Sequence, residues 1–227
     1  MCHDGRIINI VKCKKMYIFL YIKINSTIYK KQRLTEVMKN EKAFSWNFNL
    51  KKKYDIIYAD PPWKYSTDVK SHYDCVPIEE IYKFPINKIA SDNCALFLWA
   101  TYPILPECIE TLKRWGFRYV TVAFTWIKTN KNNGKPFFGL GNWTRANAEI
   151  CLLGFKGKLK RKSNKVAQVV MSPLREHSRK PDEIRDKIID LLGDLPRIEL
   201  FARQTIKGWD CWGKETKKFN GGARNGV

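Results

Sequence analysis

The sequence predicts an α/β fold with a twisted, mostly parallel sheet and helices on both faces. From Tyr54 onward, short β-favouring apolar runs alternate with segments of helical spacing, which is the pattern of an open α/β sheet. One run, Tyr54–Ala59, ends at Asp60, which is followed by Pro61 and Pro62. Proline donates no ladder hydrogen bond and pushes the preceding residue out of the helical region, so the strand stops at Asp60. Ligands of open α/β sheets bind at such carboxyl strand ends.

The remaining elements follow from periodicity and from the positions of glycine and proline. A helix over Leu105–Trp115 ends at Gly116, and a helix over Pro181–Leu192 has proline in its first turn and glycine after it. Thr129–Gly141 is a long polar loop with several glycines, of a kind that is often functional. The other predicted elements are a short helix over Pro77–Tyr82 and strands over Cys94–Thr101, Tyr119–Lys128, Glu149–Phe155, Val166–Met171 and Arg197–Phe201, the last being the final strand.

The charge balance favours a polyanionic partner. The chain of 227 residues has a formal net charge of +20 and a pI near 9.7, which makes nucleic acid the first candidate. A basic surface that only faces solvent is the alternative. No apolar run approaches the length of a membrane span. Met16–Ile24 is interrupted by Lys23 and lacks a small-residue cleavage site, so we expect no signal peptide.

The cysteines and histidines indicate neither a disulfide framework nor a metal site. None of the seven cysteines forms a CxxC pair, and the three histidines are scattered. We therefore expect reduced thiols, an intracellular protein of the cytoplasm or nucleoid, and no metal. The residues concerned are Cys2, Cys13, Cys75, Cys94, Cys108, Cys151, Cys211, His3, His72 and His177.

Residues 1–45 form a basic N-terminal extension that differs from the rest of the chain. Residues 1–53 contain 13 Lys and Arg against 3 Asp and Glu, an excess that is half of the net charge. Three interpretations remain open for this stretch. It is a basic arm that touches phosphates, a small hairpin or helix added to the domain, or a disordered or misassigned stretch upstream of a true start at Met38.

The tetrapeptide Asp60-Pro61-Pro62-Trp63 after a buried strand resembles the catalytic motif of amino-group methyltransferases, which move a methyl group from S-adenosylmethionine (SAM) to an exocyclic base nitrogen. With tryptophan in the last place, it is similar to the MT-A70 family of N6-adenine methyltransferases. The resemblance extends over residues 54–216, because further motifs follow in the family's order. They are Leu96-Phe97-Leu98-Trp99, Gly116-Phe117, Trp126-Ile127-Lys128, Asn142-Trp143-Thr144-Arg145-Ala146-Asn147, the run from Glu176 to Glu183, the run from Ile198 to Arg203 and the run from Gly208 to Gly213.

The resemblance implies a Rossmann-like SAM-dependent methyltransferase fold. It implies a methyltransferase domain over residues 46–218, which leaves residues 219–227 as a flexible tail. The expected activity is transfer of a methyl group from SAM to the N6 amine of adenine, without a metal.

The catalytic motif suits the chemistry of an exocyclic amine, whose lone pair is delocalised into the ring. The carboxylate of Asp60 and the carbonyl of Pro61 can each accept one N–H of the amine, and Pro62 helps to stiffen the turn that holds them. Trp63 offers a face on which an extruded base can stack. The alternative is an ordinary strand and Pro-Pro turn with Trp63 buried in the core.

The resemblance also implies a set of cofactor-binding residues. Lys180 is similar to the family lysine near the methionine carboxylate of SAM, and Glu199 and Arg203 to residues around its ribose and adenine. Lys180 as a surface residue at a helix start, and Glu199 paired with Arg203, are the alternatives. Where the family usually has Asn followed by Glu or Gln, this chain has Lys214 and Glu215. The full implied set is Asp60, Lys180, Glu199, Arg203, Gly213, Lys214 and Glu215.

On the substrate side the resemblance points to Trp63, Tyr65, Arg145 and Asn147. The basic run Lys156–Lys165 is either a solvated loop or a set of phosphate contacts. We expect DNA ahead of RNA, because the chain is compact and lacks the RNA-binding modules of larger relatives. A homodimer or a heterodimer with a related subunit is compatible with this activity. A catalytically silent, nucleic-acid-binding subunit is the alternative: Lys214 favours it weakly, and the intact Asp60 argues against it.

Overall fold

The computed structural model describes residues 51–64, 75–141 and 143–220. The chain divides into two units, Met1–Asn47 and Phe48–Val227. The first unit lies outside the described residues, so the interpretations of the basic extension stay predictions. Tyr65 and residues 221–227 of the predicted tail also lie outside them. Within the described part, no helix is long and apolar enough to cross a membrane.

The described part of the second unit contains seven strands in one sheet and three α-helices. In spatial order the strands are β5-β3-β4-β2-β1-β6-β7. The strands are β1 (Tyr54–Ala59), β2 (Ala90–Ala100), β3 (Arg118–Thr129), β4 (Ala148–Lys156), β5 (Val169–Pro173), β6 (Arg197–Leu200) and β7 (Asp210–Trp212), and the helices are α1 (Ile78–Tyr82), α2 (Leu105–Arg114) and α3 (Glu183–Leu192).

Six of these seven described strands run in the same direction. β1 pairs in parallel with β2 and β6, β3 with β5, and β6 with β7. Only β4 runs the other way, antiparallel to both β2 and β3. The predicted mostly parallel α/β sheet is therefore confirmed. The carboxyl ends of six strands and the start of β4 share one edge, which we call the carboxyl edge.

Helices cover both faces of the sheet. On one face, Ile184 and Ile188 of α3 belong to the same buried cluster as Phe97 and Trp99 of β2. On the other face, Gly154 of β4 is paired with Leu96, and a Cβ at this glycine would lie 2.9 Å from a Leu112 methyl group of α2. Burial on both faces explains why β1 after Asp55 and the second half of β2 are continuous apolar runs without alternation.

Two element predictions were wrong in ways that have physical reasons. Arg197–Phe201 is not the final strand, because β7 pairs in parallel with β6 through Ile198 and Asp210. β7 has only three residues, too few for a periodic pattern, and the sequence analysis did not predict it as a strand. β2 begins at Ala90, four residues before the predicted start, because polar residues at its exposed end mask its extended conformation.

Candidate active site

The chain after β1 turns through the two prolines and presents Asp60 at the carboxyl edge. The backbone N–H of Trp63 donates to the carbonyl of Pro61 at 2.9 Å, and the N–H of Val76 donates to the carbonyl of Pro62 at 2.9 Å. These bonds fix the turn without using the side chain of Asp60. A carbonyl oxygen has two lone pairs, so the carbonyl of Pro61 can still accept a second hydrogen bond.

A chain of four alternating charges lies beside this turn. Nζ of Lys180 is 2.8 Å from Oδ2 of Asp60 and 3.2 Å from Oε2 of Glu149. The other oxygen of Glu149 is 2.7 Å from Nζ of Lys128. Only 8% of the Lys180 side chain is exposed, which rules out the alternative of a solvated lysine at a helix start. Lys180 also lies over the ring of Trp99, 5.4 Å from its centroid.

Burial and pairing set the protonation of this cluster. Burial raises the pKa of Asp60, and the neighbouring Lys180 lowers it only in part. Burial also opposes ionisation of Glu149, but Lys180 and Lys128 outweigh it and lower the pKa of Glu149 to about 2. Burial would lower the pKa of Lys180, yet its two carboxylate partners raise it above its usual value. Of the two carboxylates in this cluster, Asp60 is therefore the one whose pKa is raised.

A second ion network surrounds Glu199 at the end of β6. Arg185 of α3 binds both carboxylate oxygens of Glu199, from Nε at 2.7 Å and from Nη2 at 2.9 Å. The side chains of Arg185 and Glu199 are 7% and 9% exposed. Asp182, at the start of α3, also accepts from Arg185 at 2.9 Å and from Gln204 at 2.6 Å. Glu199 therefore pairs with Arg185, and not with Arg203 as the alternative had it.

Arg203 extends from the loop between β6 and β7. Its Nε donates to Oε2 of Glu215 at 2.9 Å, and its Nη1 donates to the carbonyl of His177 at 2.9 Å. Glu215 also pairs with Lys218 at 2.6 Å, while Lys214 is exposed. Arg203 thus ties the loop before α3 to the segment after β7.

Gly213 follows β7 at the same edge. A Cβ on this residue would lie 2.5 Å from the carbonyl oxygen of Ala202 and 2.7 Å from its nitrogen. The chain itself therefore requires glycine here. Phe201 adopts a positive φ of 60°, a strained conformation of the kind that often clusters at ligand sites.

These residues line a cleft of about 330 Å³, a volume that includes its open mouth. Four cationic side chains and two carboxylates face it. The lining residues are Tyr58, Asp60, Ser178, Arg179, Lys180, Arg185, Glu199, Phe201, Arg203, Gln204 and Phe219. The fold thus brings together Asp60, Lys180, Glu199 and Arg203 from the predicted cofactor set, whereas Gly213, Lys214 and Glu215 are not among the lining residues.

The predicted substrate-side residues have a different placement. Trp63 is 3% exposed and its indole N–H donates to the carbonyl of Trp99 at 3.0 Å, so stacking of a base on Trp63 would require the ring to gain exposure. Arg145 is exposed on the loop between β3 and β4, where Nη2 donates to the carbonyl of Phe138 at 3.1 Å. Asn147 lies at the foot of that loop, and its Oδ1 is buried without a hydrogen-bond partner among the described residues. Substrate binding by these residues stays a prediction.

The comparisons with known proteins identify the family. The model of the MT-A70 family matches residues 54–215. The type II methyltransferase M.MunI of Mycoplasma sp is 34% identical over 190 residues, which cover 73% of this chain and 78% of that protein. The chain belongs to the MT-A70 family. The predicted family and the methyltransferase class are thereby confirmed.

Other relatives are much longer than this MT-A70 protein. A putative N(6)-adenosine-methyltransferase MT-A70-like of Medicago truncatula is 31% identical over 166 residues, covering 72% of this chain and 26% of that protein. The N(6)-adenosine-methyltransferase catalytic subunit METTL3 of Homo sapiens is 31% identical over 153 residues, covering 66% and 26%. The chain therefore spans about a quarter of the length of these two relatives.

The side chains around the cleft carry charges complementary to groups of the SAM that a methyltransferase of this class uses. Lys180 and Arg203 offer cations for a carboxylate, and Glu199 keeps free lone pairs for hydroxyl groups although Arg185 occupies part of it. Nε of Arg179 is buried without a hydrogen-bond partner among the described residues, which leaves a donor in the cleft wall.

Glu149 and Arg185 are among the residues of this MT-A70 site that the sequence pattern did not predict. Glu149 was assigned only as the first residue of a strand, and Arg185 only as part of a helix. Glu149 lies near the start of a largely apolar strand, and Arg185 lies at helical spacing from the buried Ile188 and Leu192. A charge in such a position requires a partner. That signal was present, but the partners Lys180 and Glu199 are distant enough in sequence that no local pattern links them.

Proposed function

We propose that this protein transfers a methyl group from SAM to the N6 amine of adenine in DNA. The observation that carries the proposal is the position of Asp60. Its carboxylate lies at the carboxyl end of β1, an interior strand of the sheet. It lines the cleft and has a pKa that burial raises. A carboxylate at that place can accept a hydrogen bond from an amine that enters beside the cleft.

The chemistry requires an acceptor for each N–H of the target amine. Asp60 and the second lone pair of the Pro61 carbonyl can take one N–H each, which favours a more tetrahedral nitrogen with an available lone pair. SAM, when bound, supplies an electrophilic methyl group on its sulfonium. The methylated nitrogen then carries one proton too many, and the raised pKa of Asp60 suits it to hold that proton.

Lys180 links the cofactor side of the site to the catalytic side. Its ammonium has three N–H groups, and these lie near Asp60 at 2.8 Å, Glu149 at 3.2 Å and Ser178 at 3.5 Å. A ligand carboxylate that recruits Lys180 therefore competes with Asp60 for it. We expect cofactor binding to weaken the bond from Lys180 to Asp60 and to free the carboxylate for the amine.

DNA is favoured over RNA by the pattern of similarity. The alignment covers 78% of the relative named as a type II methyltransferase. It covers only about a quarter of the relatives named as N(6)-adenosine-methyltransferases, whose name denotes the ribonucleoside. The net charge of +20 suits either nucleic acid.

The decisive experiment incubates the full chain with isotopically labelled SAM and either DNA or RNA, then quantifies methylated nucleosides by mass spectrometry. We expect label in N6-methyldeoxyadenosine. Asp60→Asn should lower the rate about 10²–10³-fold, as loss of one preorganised group does elsewhere. Asp92→Asn is the matched control, because Asp92 is fully exposed at the opposite edge of the sheet.

Two outcomes would contradict the proposal. Label in N6-methyladenosine alone would make RNA the substrate. Binding of nucleic acid without transfer to either polymer would identify a silent partner subunit.

A further inference from the structure

The described residues of the connection between β3 and β4 form a hydrogen-bonded projection at the carboxyl edge. The N–H of Phe137 donates to the carbonyl of Lys128 at 2.8 Å, and the N–H of Gly139 donates to the carbonyl of Ala146 at 2.8 Å. A Cβ on Gly141 would lie 1.9 Å from the carbonyl oxygen of Thr144. This close approach shows a tight turn that only glycine permits. We call residues 137–141 and 143–147 the projecting loop.

The end of the projecting loop exposes large apolar side chains. Leu140 and Trp143 are each 98% exposed, and Phe138 is 54% exposed. Arg145 braces the loop, since its Nη2 donates to the carbonyl of Phe138 and its guanidinium lies 5.9 Å from the centroid of the Phe138 ring. Apolar groups displayed in this way usually mark a binding surface.

The charge of the segment indicates what it binds. Residues 129–148 contain Lys131, Lys135 and Arg145 and no Asp or Glu. A cationic segment with an exposed indole suits a polyanion with stacked rings, because aromatic side chains stack on bases and cations contact phosphates. A protein partner would gain from the apolar groups but would not require the one-sided charge.

The foot of the projecting loop joins the chain of four alternating charges that ends at Asp60. The N–H of Lys128 donates to the carbonyl of Asn147 at 3.3 Å, and Nζ of Lys128 pairs with Glu149, which pairs with Lys180 and through it with Asp60. An adenine can reach Asp60 from a duplex only by leaving the base stack. The exposed apolar side chains of the projecting loop therefore lie at the same carboxyl edge as Asp60. A duplex whose target adenine has moved toward Asp60 would present the vacated position in its base stack to this edge.

We propose that Leu140 and Trp143 form a wedge that enters duplex DNA and fills the position vacated by the target adenine. The proposal rests on the proposed function for the identity of that base. Apolar wedges of this kind separate neighbouring base steps in other DNA-binding proteins. Arg145 and Phe138 hold the wedge upright, and Lys131 and Lys135 contact flanking phosphates.

The test measures binding without SAM, so it does not depend on methyl transfer. Fluorescence anisotropy compares a fully paired duplex with the same duplex carrying one abasic site, in which the position in the stack is already empty. Wild type should bind the abasic duplex at least about tenfold more tightly, because the cost of unstacking is then removed. The double variant Leu140→Ala/Trp143→Ala should bind both duplexes almost equally.

Tyr119→Ala is the matched control, because Tyr119 is an exposed aromatic residue at the start of β3, on the opposite edge of the sheet. It should keep the wild-type preference. The wedge proposal is overturned if the double variant still binds the abasic duplex more tightly than the paired duplex. It is also overturned if the wild type shows no such preference or does not bind DNA. If the wild type is a dimer and the double variant is a monomer that keeps the preference, Leu140 and Trp143 bind a second copy of this chain and not DNA. A clear preference for the abasic duplex without methyl transfer to DNA would refute the proposed function, but it would still support the wedge.

Discussion

Replacing Arg185 by methionine tests how the buried network at the end of β6 is held together. Arg185 binds Glu199 through two hydrogen bonds of 2.7 and 2.9 Å, and both side chains are less than a tenth exposed. Methionine keeps most of the apolar volume but removes the cation, so the Glu199 carboxylate is left buried without its main partner. The variant therefore separates loss of charge from loss of packing.

The expected loss of stability is large. Breaking a buried ion pair by removing one partner costs about 3–5 kcal/mol, against a total of roughly 5–15 kcal/mol for a typical domain. For a domain of this size, each kcal/mol lowers Tm by about 2–4 °C. Burial raises the pKa of Glu199 and Arg185 counteracts this rise. Without Arg185 the pKa of Glu199 should rise further, so the deficit should shrink as the pH falls and the carboxyl group becomes neutral.

Urea denaturation followed by circular dichroism, together with calorimetric titration of SAM, measures both consequences. Arg114→Met is the matched control, because Arg114 pairs with Glu110 at 2.9 Å but both side chains are about half exposed; it should cost at most about 1 kcal/mol. The double change Arg185→Met/Glu199→Met should recover much of the stability and still bind SAM poorly. Equal stability of Arg185→Met and Arg114→Met would refute this account of the network.

Three further predictions concern the charge cluster around Asp60 and the basic extension. Glu149→Gln should shift the acidic limb of kcat/KM to lower pH, because the charge of Glu149 raises the pKa of Asp60. It should also make stability less dependent on pH in the acid range. The pKa of Glu149 is lowered from 4.5 to about 2, so its ion pairs in the wild type are lost as the pH falls through that range. An unmoved pH profile would contradict this. Lys180→Ala should lower both SAM affinity and kcat, because Lys180 contacts Asp60 directly; an effect on SAM affinity alone would limit Lys180 to the cofactor. A chain that starts at Met38 should bind DNA more weakly and with a shallower dependence on salt if residues 1–37 contact phosphates; an unchanged slope in salt titrations would exclude that role.

The turn at Asp60 and the class of fold follow from local features of the sequence. The end of β1 at Asp60 follows from local rules, because proline cannot continue a strand and restricts the residue before it. The alternation of apolar runs with helical segments likewise gave the α/β sheet. Each of these signals lies within a few residues of the chain, where backbone sterics and burial leave few alternatives.

The pairing of the charges in the site depends on contacts between distant parts of the chain. Lys180 bonds to Asp60, 120 positions away, and Glu149 joins them from the start of the one described strand that runs against the rest. Arg185 takes Glu199, which leaves Arg203 to pair with Glu215. The type and spacing of these residues do not select among such pairings, because any nearby cation can neutralise any carboxylate. The choice depends on which strand ends meet at one edge and which side chains water cannot reach there.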